Sequence, residues 1–176
     1  MKVMDLRMMQ VFVFLLALAG GLLYIRLSKG LVSYHSVGQP VDFNHYLHVH
    51  EKELSCEDCH SSVKTGYFAT IPTTETCETC HSEPQGSSAR EKAFVEQYAG
   101  TGRPISWQRL FVLPEHVFFS HRIHVVRAQI ACPACHGSME MQKRPPEYPL
   151  KVLTMDNCMD CHRQRKAVLD CNGCHR

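Results

Sequence analysis

The ten cysteines of this chain all belong to one repeated pattern, C-x-x-C-H, which occurs five times. C-x-x-C-H is the attachment signature of c-type haem, because the two thiols bond to the vinyl groups of one porphyrin and the adjacent imidazole binds its iron. The pattern therefore predicts five covalently bound haem c groups. The predicted attachment residues are Cys56 and Cys59, Cys77 and Cys80, Cys132 and Cys135, Cys158 and Cys161, and Cys171 and Cys174, and the predicted iron ligands are His60, His81, His136, His162 and His175.

Two other uses of paired cysteines fit the chain less well. Zinc ribbons contain C-x-x-C pairs, but two pairs complete one tetrahedral site, and five pairs cannot be divided evenly in that way. A disulfide framework has no reason to repeat one pattern with a histidine at its end five times. We therefore expect haem, and neither zinc nor disulfides.

Five macrocycles also constrain the fold, since they supply much of the apolar surface that a core needs. We expect a mostly irregular and α-helical multihaem domain with little regular secondary structure, and no strand pattern longer than a few residues is present. Residues 90–99 predict a short amphipathic helix that the glycine-rich and proline-containing residues 100–104 end. Prolines at positions 145, 146 and 149 should hold that segment extended.

The N-terminal part of the chain contains an uncharged segment of 18 residues, positions 8–25. This length suits a membrane-spanning helix and exceeds the apolar part of a usual signal peptide. We therefore expect an uncleaved anchor at 1–30 and a haem domain at 31–176. The alternative is a cleaved signal peptide, since residues 17–19 (Ala-Leu-Ala) match the cleavage pattern.

The membrane orientation follows from the haem chemistry, because basic residues flank the apolar segment evenly. Attachment of c-type haem takes place outside the cytoplasmic membrane. We therefore expect a single helix in the cytoplasmic (inner) membrane, with the haem domain on the periplasmic side.

An internal repeat divides the predicted haem domain. Residues 43–49 and 119–125 both read F-x-H-x-x-H-V, and in both copies the first histidine lies eleven residues before an attachment cysteine. Each copy then continues to another attachment motif. We therefore predict two di-haem modules, at about 41–81 and 117–162, with the fifth haem at the C-terminus.

The repeat also indicates the ligands on the other face of four irons. His45 and His48 recur as His121 and His124, and an i, i+3 pair on a helical turn brings both imidazoles to nearby positions. We expect each of the four to be a distal iron ligand.

The fifth distal ligand is less well marked. We favour Met155, because it lies three residues before Cys158 and a thioether is a known axial ligand of haem. His35, His50 and His116 compete for the role, and none of them recurs in the repeat.

Several motifs resemble those of known multihaem cytochromes. The F-x-H-x-x-H before C-x-x-C-H is similar to the class III, cytochrome c3/c7-type families. Residues 107–109 (WQR), 113–114 (LP), 117–125 (VFFSHRIHV), 132–137 (CPACHG) and 153–163 (LTMDNCMDCHR) resemble the pentahaem subunit of bacterial alternative complex III. Asp156 and Asn157 stand where that family more commonly has a Gly-Trp pair.

The resemblance implies an electron-transfer subunit of a membrane complex that oxidises quinol. Its partners would be iron–sulfur and molybdopterin-like subunits and quinol-binding membrane subunits, and electrons would leave to a periplasmic mono-haem cytochrome or a terminal oxidase. A free-standing, membrane-anchored periplasmic shuttle is the alternative.

A catalytic multihaem reductase is a third reading, and it fits less well. Such an enzyme needs an open coordination position on one iron. None of the five motifs replaces its histidine, and the candidate distal ligands outnumber the irons, so we expect no catalytic residues. The net charge of +2 omits the haem propionates, and nothing indicates nucleic-acid binding.

Overall fold

The computed structural model describes residues 6–29 and 36–175. Its residues group into two units, Met1–His35 and Ser36–Arg176. In the first unit, helix α1 spans Leu6–Lys29. Its apolar stretch Arg7–Tyr24 has a mean hydropathy of 1.7, and 24 residues of α-helix extend about 36 Å, enough to cross a hydrocarbon layer of about 30 Å. The predicted N-terminal apolar helix is confirmed.

The second unit consists of short helical segments joined by irregular chain. Between residues 36 and 175 the structure has no β-sheet, and a single isolated bridge pairs Val117 with His175. This confirms the mostly irregular and α-helical fold class. The α-helices are α2 (Cys56–Cys59), α3 (Thr74–His81), α4 (Ala89–Gln97), α5 (Pro133–His136), α6 (Met155–Arg165) and α7 (Cys171–Cys174), and there are two π-helical turns (Leu47–Glu51 and Ile123–Arg127) and one 3₁₀ turn (Met139–Met141).

Helix α4 is the helix that the sequence predicted at 90–99. It begins one residue earlier because Ser88 acts as its N-cap, with the Ser88 hydroxyl accepting from the Glu91 amide at 3.5 Å. Beyond its C-terminus, Gly100 and Gly102 both adopt positive φ angles, which glycine tolerates without steric cost. The glycine-rich segment therefore ends the helix as expected.

The protein atoms by themselves form a very small core. Among the described residues, the only buried apolar side chains are Val63, Phe94 and Tyr98, and the rings of Phe94 and Tyr98 stack at 5.7 Å between centroids. A unit of this length ordinarily buries well over half of the surface of its unfolded chain. The small core agrees with a domain whose interior is built largely around prosthetic groups.

Candidate haem-binding sites

The five C-x-x-C-H motifs lie on short helical turns. In helical geometry the two cysteines of a motif are i, i+3 neighbours, so both thiols project from one side toward a single ligand. All ten cysteines are free thiols. No group of three or more His, Cys, Asp or Glu side chains in the described part of the chain is arranged to hold a metal ion. The placement of the two thiols of each motif on one side of a turn suits attachment to a single porphyrin.

The two copies of the F-x-H-x-x-H repeat adopt the same local structure. In the first copy the His48 Nδ1 donates to the Asn44 carbonyl at 2.8 Å, and the Phe43 ring lies 4.8 Å from His45 and 4.4 Å from His48. Because a carbonyl can only accept, Nδ1 of His48 carries the proton. The Nε2 lone pair is then free for a metal.

The second copy reproduces these contacts. The His124 Nδ1 donates to the Ser120 carbonyl at 2.8 Å, and the Phe119 ring lies 4.8 Å from His121 and 4.5 Å from His124. His121 adds a contact of its own, from its Nδ1 to the Tyr67 carbonyl at 2.9 Å. Each phenylalanine thus packs against both histidines of its turn and holds their orientation.

Three of these repeat histidines face a motif histidine at nearly the same distance. A metal–nitrogen bond to imidazole is about 2 Å long, and the bound nitrogen lies about 1 Å from the centre of its ring. Two imidazoles that bind one iron from opposite sides therefore have ring centroids about 6 Å apart. The observed centroid distances are 6.1 Å for His48 and His81, 6.2 Å for His121 and His136, and 6.2 Å for His124 and His162. The spacing fits one iron between the rings of each pair.

The fourth repeat histidine, His45, lies beside His60. Burial, followed by the neighbouring His60 and His48, lowers the pKa of His45 to about 4. Its Nδ1 is buried and has no hydrogen-bond partner. An imidazole with this pKa is neutral at pH 7, which is the form that binds iron. His45 therefore has the protonation state of a ligand for the iron held by His60.

Three motif histidines, His60, His81 and His162, are oriented by hydrogen bonds from Nδ1. His60 donates to the Thr70 carbonyl at 2.7 Å, and His162 donates to the Val168 carbonyl at 2.6 Å. Both bonds leave Nε2 free to bind a metal, as outer-shell acceptors do for metal-binding histidines generally.

His81 differs, because its Nδ1 donates to a carboxylate, Glu91 Oε1, at 2.8 Å. The Gln85 amide donates to the same oxygen at 2.8 Å and holds the pKa of Glu91 below its usual value, and His81 lowers that pKa further. Sequence reasoning did not find Glu91, because the contact depends on how α4 packs against α3. No motif or residue spacing in the sequence indicates that Glu91 contacts His81.

The candidates for the fifth distal position lie in different environments. His116 faces His175, with ring centroids 5.4 Å apart and ring planes 25° apart. The Met155 side chain is the first of α6 and is 62 % exposed. His50 is exposed and packs on the Tyr46 ring at 4.9 Å. The His35 alternative lies outside the described residues, and Met155 as a ligand stays a prediction.

Asn157, one of the two residues where the chain departs from the pentahaem pattern, has a structural role. Thr154 is the N-cap of α6, and its hydroxyl accepts from the Asn157 amide at 3.2 Å. The Asn157 side chain accepts in return from the Thr154 amide at 2.9 Å. This reciprocal capping box stabilises the start of the helix that carries Cys158, Cys161 and His162.

Comparison with curated proteins found two similar proteins of different kinds. The chain is 31 % identical over 155 residues to the multihaem cytochrome c subunit of menaquinone reductase from Nitratidesulfovibrio vulgaris (strain Hildenborough), covering 81 % of this chain and 70 % of that protein. It is 26 % identical over 130 residues to the muscle LIM protein Mlp84B of Drosophila melanogaster, covering 70 % of this chain and 25 % of that protein. LIM domains bind zinc through cysteine pairs, and the described residues hold no such ligand cluster.

The sequence profile described as cytochrome c7 and related cytochrome c matches residues 41–97 and 117–176. These two ranges contain both copies of the repeat and all five attachment motifs. The chain therefore belongs to the cytochrome c7 family, as a multihaem cytochrome c that carries several c-type haems and transfers electrons.

Proposed function

We propose that this chain holds five haems c, one at each C-x-x-C-H motif, and serves as the electron-transfer subunit of a quinone-linked membrane complex. In this proposal His45, His48, His121 and His124 are distal ligands opposite His60, His81, His136 and His162. The observation that carries the proposal is the facing of paired imidazoles at 6.1–6.2 Å. When bound, the haems supply one-electron redox chemistry.

The chain contributes rigid axial ligation rather than a substrate site. Each turn of the repeat holds two imidazoles through a phenylalanine and a backbone acceptor, so the ligands need to move little when the charge on the iron changes. A catalytic reductase needs an open axial position. At the His81, His136 and His162 sites, two imidazoles would hold one iron when haem is bound, which supports electron transfer over catalysis.

The quinone link comes from the similar protein of N. vulgaris, which is named as a subunit of a menaquinone reductase. That name implies electron delivery to quinone, whereas the resemblance to the pentahaem subunit of alternative complex III implies electron withdrawal from quinol. Both readings give this chain the same role, between a quinone-binding membrane subunit and a periplasmic redox partner. We propose iron–sulfur or molybdopterin-like subunits as further partners, and a free-standing shuttle is the alternative function.

We further propose that α1 is an uncleaved anchor in the inner membrane, with residues 1–30 as the anchor region and 31–176 as the periplasmic haem domain. Its apolar length supports a span. The mass of the mature protein purified from membranes tests this, because removal at residues 17–19 would shorten the chain and release it from carbonate-washed membranes.

The proposed function is tested on the native complex. Membranes are solubilised in mild detergent, separated on a native gel and stained for haem, and the subunits of the stained band are identified. We expect a quinone-binding membrane subunit to co-migrate. A haem-stained chain that migrates alone would favour the shuttle, and a mass of the denatured protein that corresponds to four haems or fewer would refute the haem count. Adding a quinol and, separately, a quinone to the purified complex shows the direction of electron flow.

A further inference from the structure

We propose that His116 is the distal ligand of the fifth haem, opposite His175. The inference rests on the five-haem proposal above and assigns its last axial position. The backbone brings the two residues together, because Val117 and His175 form the isolated bridge and the Phe118 amide donates to the Cys174 carbonyl at 2.8 Å. The motif that attaches this haem is thus held against the segment that carries His116.

The ring geometry resembles that of the other pairs. The centroids of His116 and His175 are 5.4 Å apart, slightly less than the 6.1–6.2 Å of the three repeat-based pairs. His116 is exposed and is a central residue of a turn that the hydrogen bond from the Val117 amide to the Pro114 carbonyl closes. Binding one iron between these rings would move their centroids apart by about 0.7–0.8 Å, and exposed turns are more mobile than the elements they connect.

The competing residues are less well placed. Met155 lies seven residues before His162 on α6, about 10 Å along the helix axis, and His162 already faces His124. His50 packs on Tyr46 in the first module. The family profile begins its second match at residue 117, so it does not include His116.

Resting ferric spectra of the full-length, haem-loaded protein test this assignment. His116→Ala should convert one haem of five to the high-spin form, and added imidazole should return it to low spin, since a free imidazole can replace a missing ligand. The matched controls His50→Ala and Met155→Leu should leave all five haems low-spin. The haem count and the co-purifying subunits are independent of this result, so the proposed function can stand if the ligand assignment fails.

Four outcomes would overturn the assignment. The first two are a His116→Ala protein with five low-spin haems and a high-spin haem in Met155→Leu. The third is a sulfur-to-iron charge-transfer band in the unaltered protein, which would indicate methionine ligation. If the His116→Ala protein does not accumulate, His116→Met is used instead, because methionine keeps a ligand in place. This variant should show the sulfur-to-iron charge-transfer band at one haem. Absence of the band is the fourth outcome that would overturn the assignment.

A different set of contacts supports a second inference, on the order of the attachment sites in space. The Arg122 amide donates to the Gly66 carbonyl at 3.3 Å, and the Tyr46 amide donates to the Gln142 carbonyl at 3.0 Å. Tyr46 and Arg122 are equivalent positions of the repeat, and so are Gly66 and Gln142 at the same sequence offset. Each module therefore binds the other through the same surface, as in a two-fold symmetric pair.

Such symmetry places equivalent residues of the two modules next to each other near the axis. The loop that follows the first motif contacts the third site, because the Tyr67 carbonyl accepts from both the amide and the Nδ1 of His121, and His121 faces His136. The same loop is tied to the first motif, because His60 Nδ1 donates to the Thr70 carbonyl at 2.7 Å. The first and third motifs are therefore neighbours at the module interface.

The other motifs lie outside this central pair. His48 faces His81, and it lies on the same turn as His45, the proposed ligand of the His60 site. His121 and His124 share the other turn and face His136 and His162, and His162 Nδ1 donates to the Val168 carbonyl, three residues before Cys171. The second motif therefore adjoins the first, and the fourth adjoins both the third and the fifth.

We infer that the attachment sites form a row that does not follow the order of the sequence. The motif histidines of successive sites in this row are His81, His60, His136, His162 and His175. The sites of His81 and His175 are then the ends of the row, where electrons enter from one partner and leave to another.

The order of the sites in the row is tested with two variants, each of which removes one of the two histidines on the first repeat turn. A high-spin ferric haem speeds the electron spin relaxation of its neighbours, which is measurable by pulsed paramagnetic resonance. His45→Ala should affect two other haems, because the His60 site lies inside the row, and His48→Ala should affect only one, because the His81 site is an end. A row in sequence order predicts the reverse, and the reverse or equal numbers would overturn the inference.

A measurement on the unaltered protein covers the case in which a variant does not fold. Nuclear Overhauser contacts between porphyrin substituents should connect the haem at Cys56 with the haem at Cys132. Contacts between the haems at Cys77 and Cys132 would contradict the order.

Discussion

Replacing Glu91 with glutamine should raise the reduction potential of the haem bound by His81. The Glu91 carboxylate accepts from His81 Nδ1 at 2.8 Å, and its side chain is 14 % exposed. A carboxylate acceptor makes the imidazole a stronger donor and places a negative charge near the iron, which favours the ferric form. Glutamine retains an acceptor oxygen but removes the charge, so the ferric form loses this stabilisation.

The structure sets the size of the effect. The 2.8 Å hydrogen bond, the imidazole ring and an iron–nitrogen bond of about 2 Å together put the carboxylate oxygen about 6–7 Å from the iron. At an effective dielectric constant of about 20–40, one charge at that distance contributes roughly 1.3–2.6 kcal/mol. With 59 mV per tenfold change for one electron, this corresponds to a rise of about 55–110 mV.

The assay is a spectroelectrochemical titration of the haem-loaded protein at pH 7. Glu96→Gln is the matched control, because Glu96 is an exposed carboxylate on the same helix. We expect one of the five potentials to rise in Glu91→Gln and a much smaller effect in the control. Five unchanged potentials, or equal shifts in both variants, would refute the reasoning.

The effect should also depend on pH in a defined direction. The Gln85 amide and His81 hold the pKa of Glu91 below its usual value. The contribution of the ionised carboxylate to stability is therefore fully present above the ordinary glutamate pKa and is lost as the pH falls through the lowered one. The potential of the unaltered protein should approach that of Glu91→Gln only in this acidic range.

Two further predictions concern the backbone that carries the motifs. Gly137→Ala should lower the yield of fully haem-loaded protein, because Gly137 has a φ of +71° and an added Cβ would lie 2.9 Å from the Leu150 Cβ. Gly38→Ala is its control, with no atom within 4 Å of the added Cβ, and equal yields would contradict the prediction. Thr154→Ala should lower the free energy of unfolding by about 1 kcal/mol through loss of the capping box with Asn157, and an unchanged denaturation midpoint would contradict it.

The sequence alone was sufficient for the features that are local. A C-x-x-C-H motif needs only one turn of chain to present two thiols and an imidazole, so its meaning does not depend on the rest of the fold. The repeat similarly identified His45 and His48 with their equivalents His121 and His124, and both copies adopt the same turn with the same phenylalanine contacts. The short helix α4 and the N-terminal apolar helix were also readable, because capping residues, periodicity and length act locally.

The tertiary structure decided which side chains meet across the chain. The approach of His116 to His175 depends on a backbone bridge between segments almost sixty residues apart, and no local pattern encodes it. The carboxylate of Glu91 reaches His81 because α4 folds back onto α3. The two modules contact each other through the carbonyls of Gly66 and Gln142, which lie outside the F-x-H-x-x-H repeat. Such contacts arise from the packing of distant segments, so the three-dimensional fold is needed to identify them.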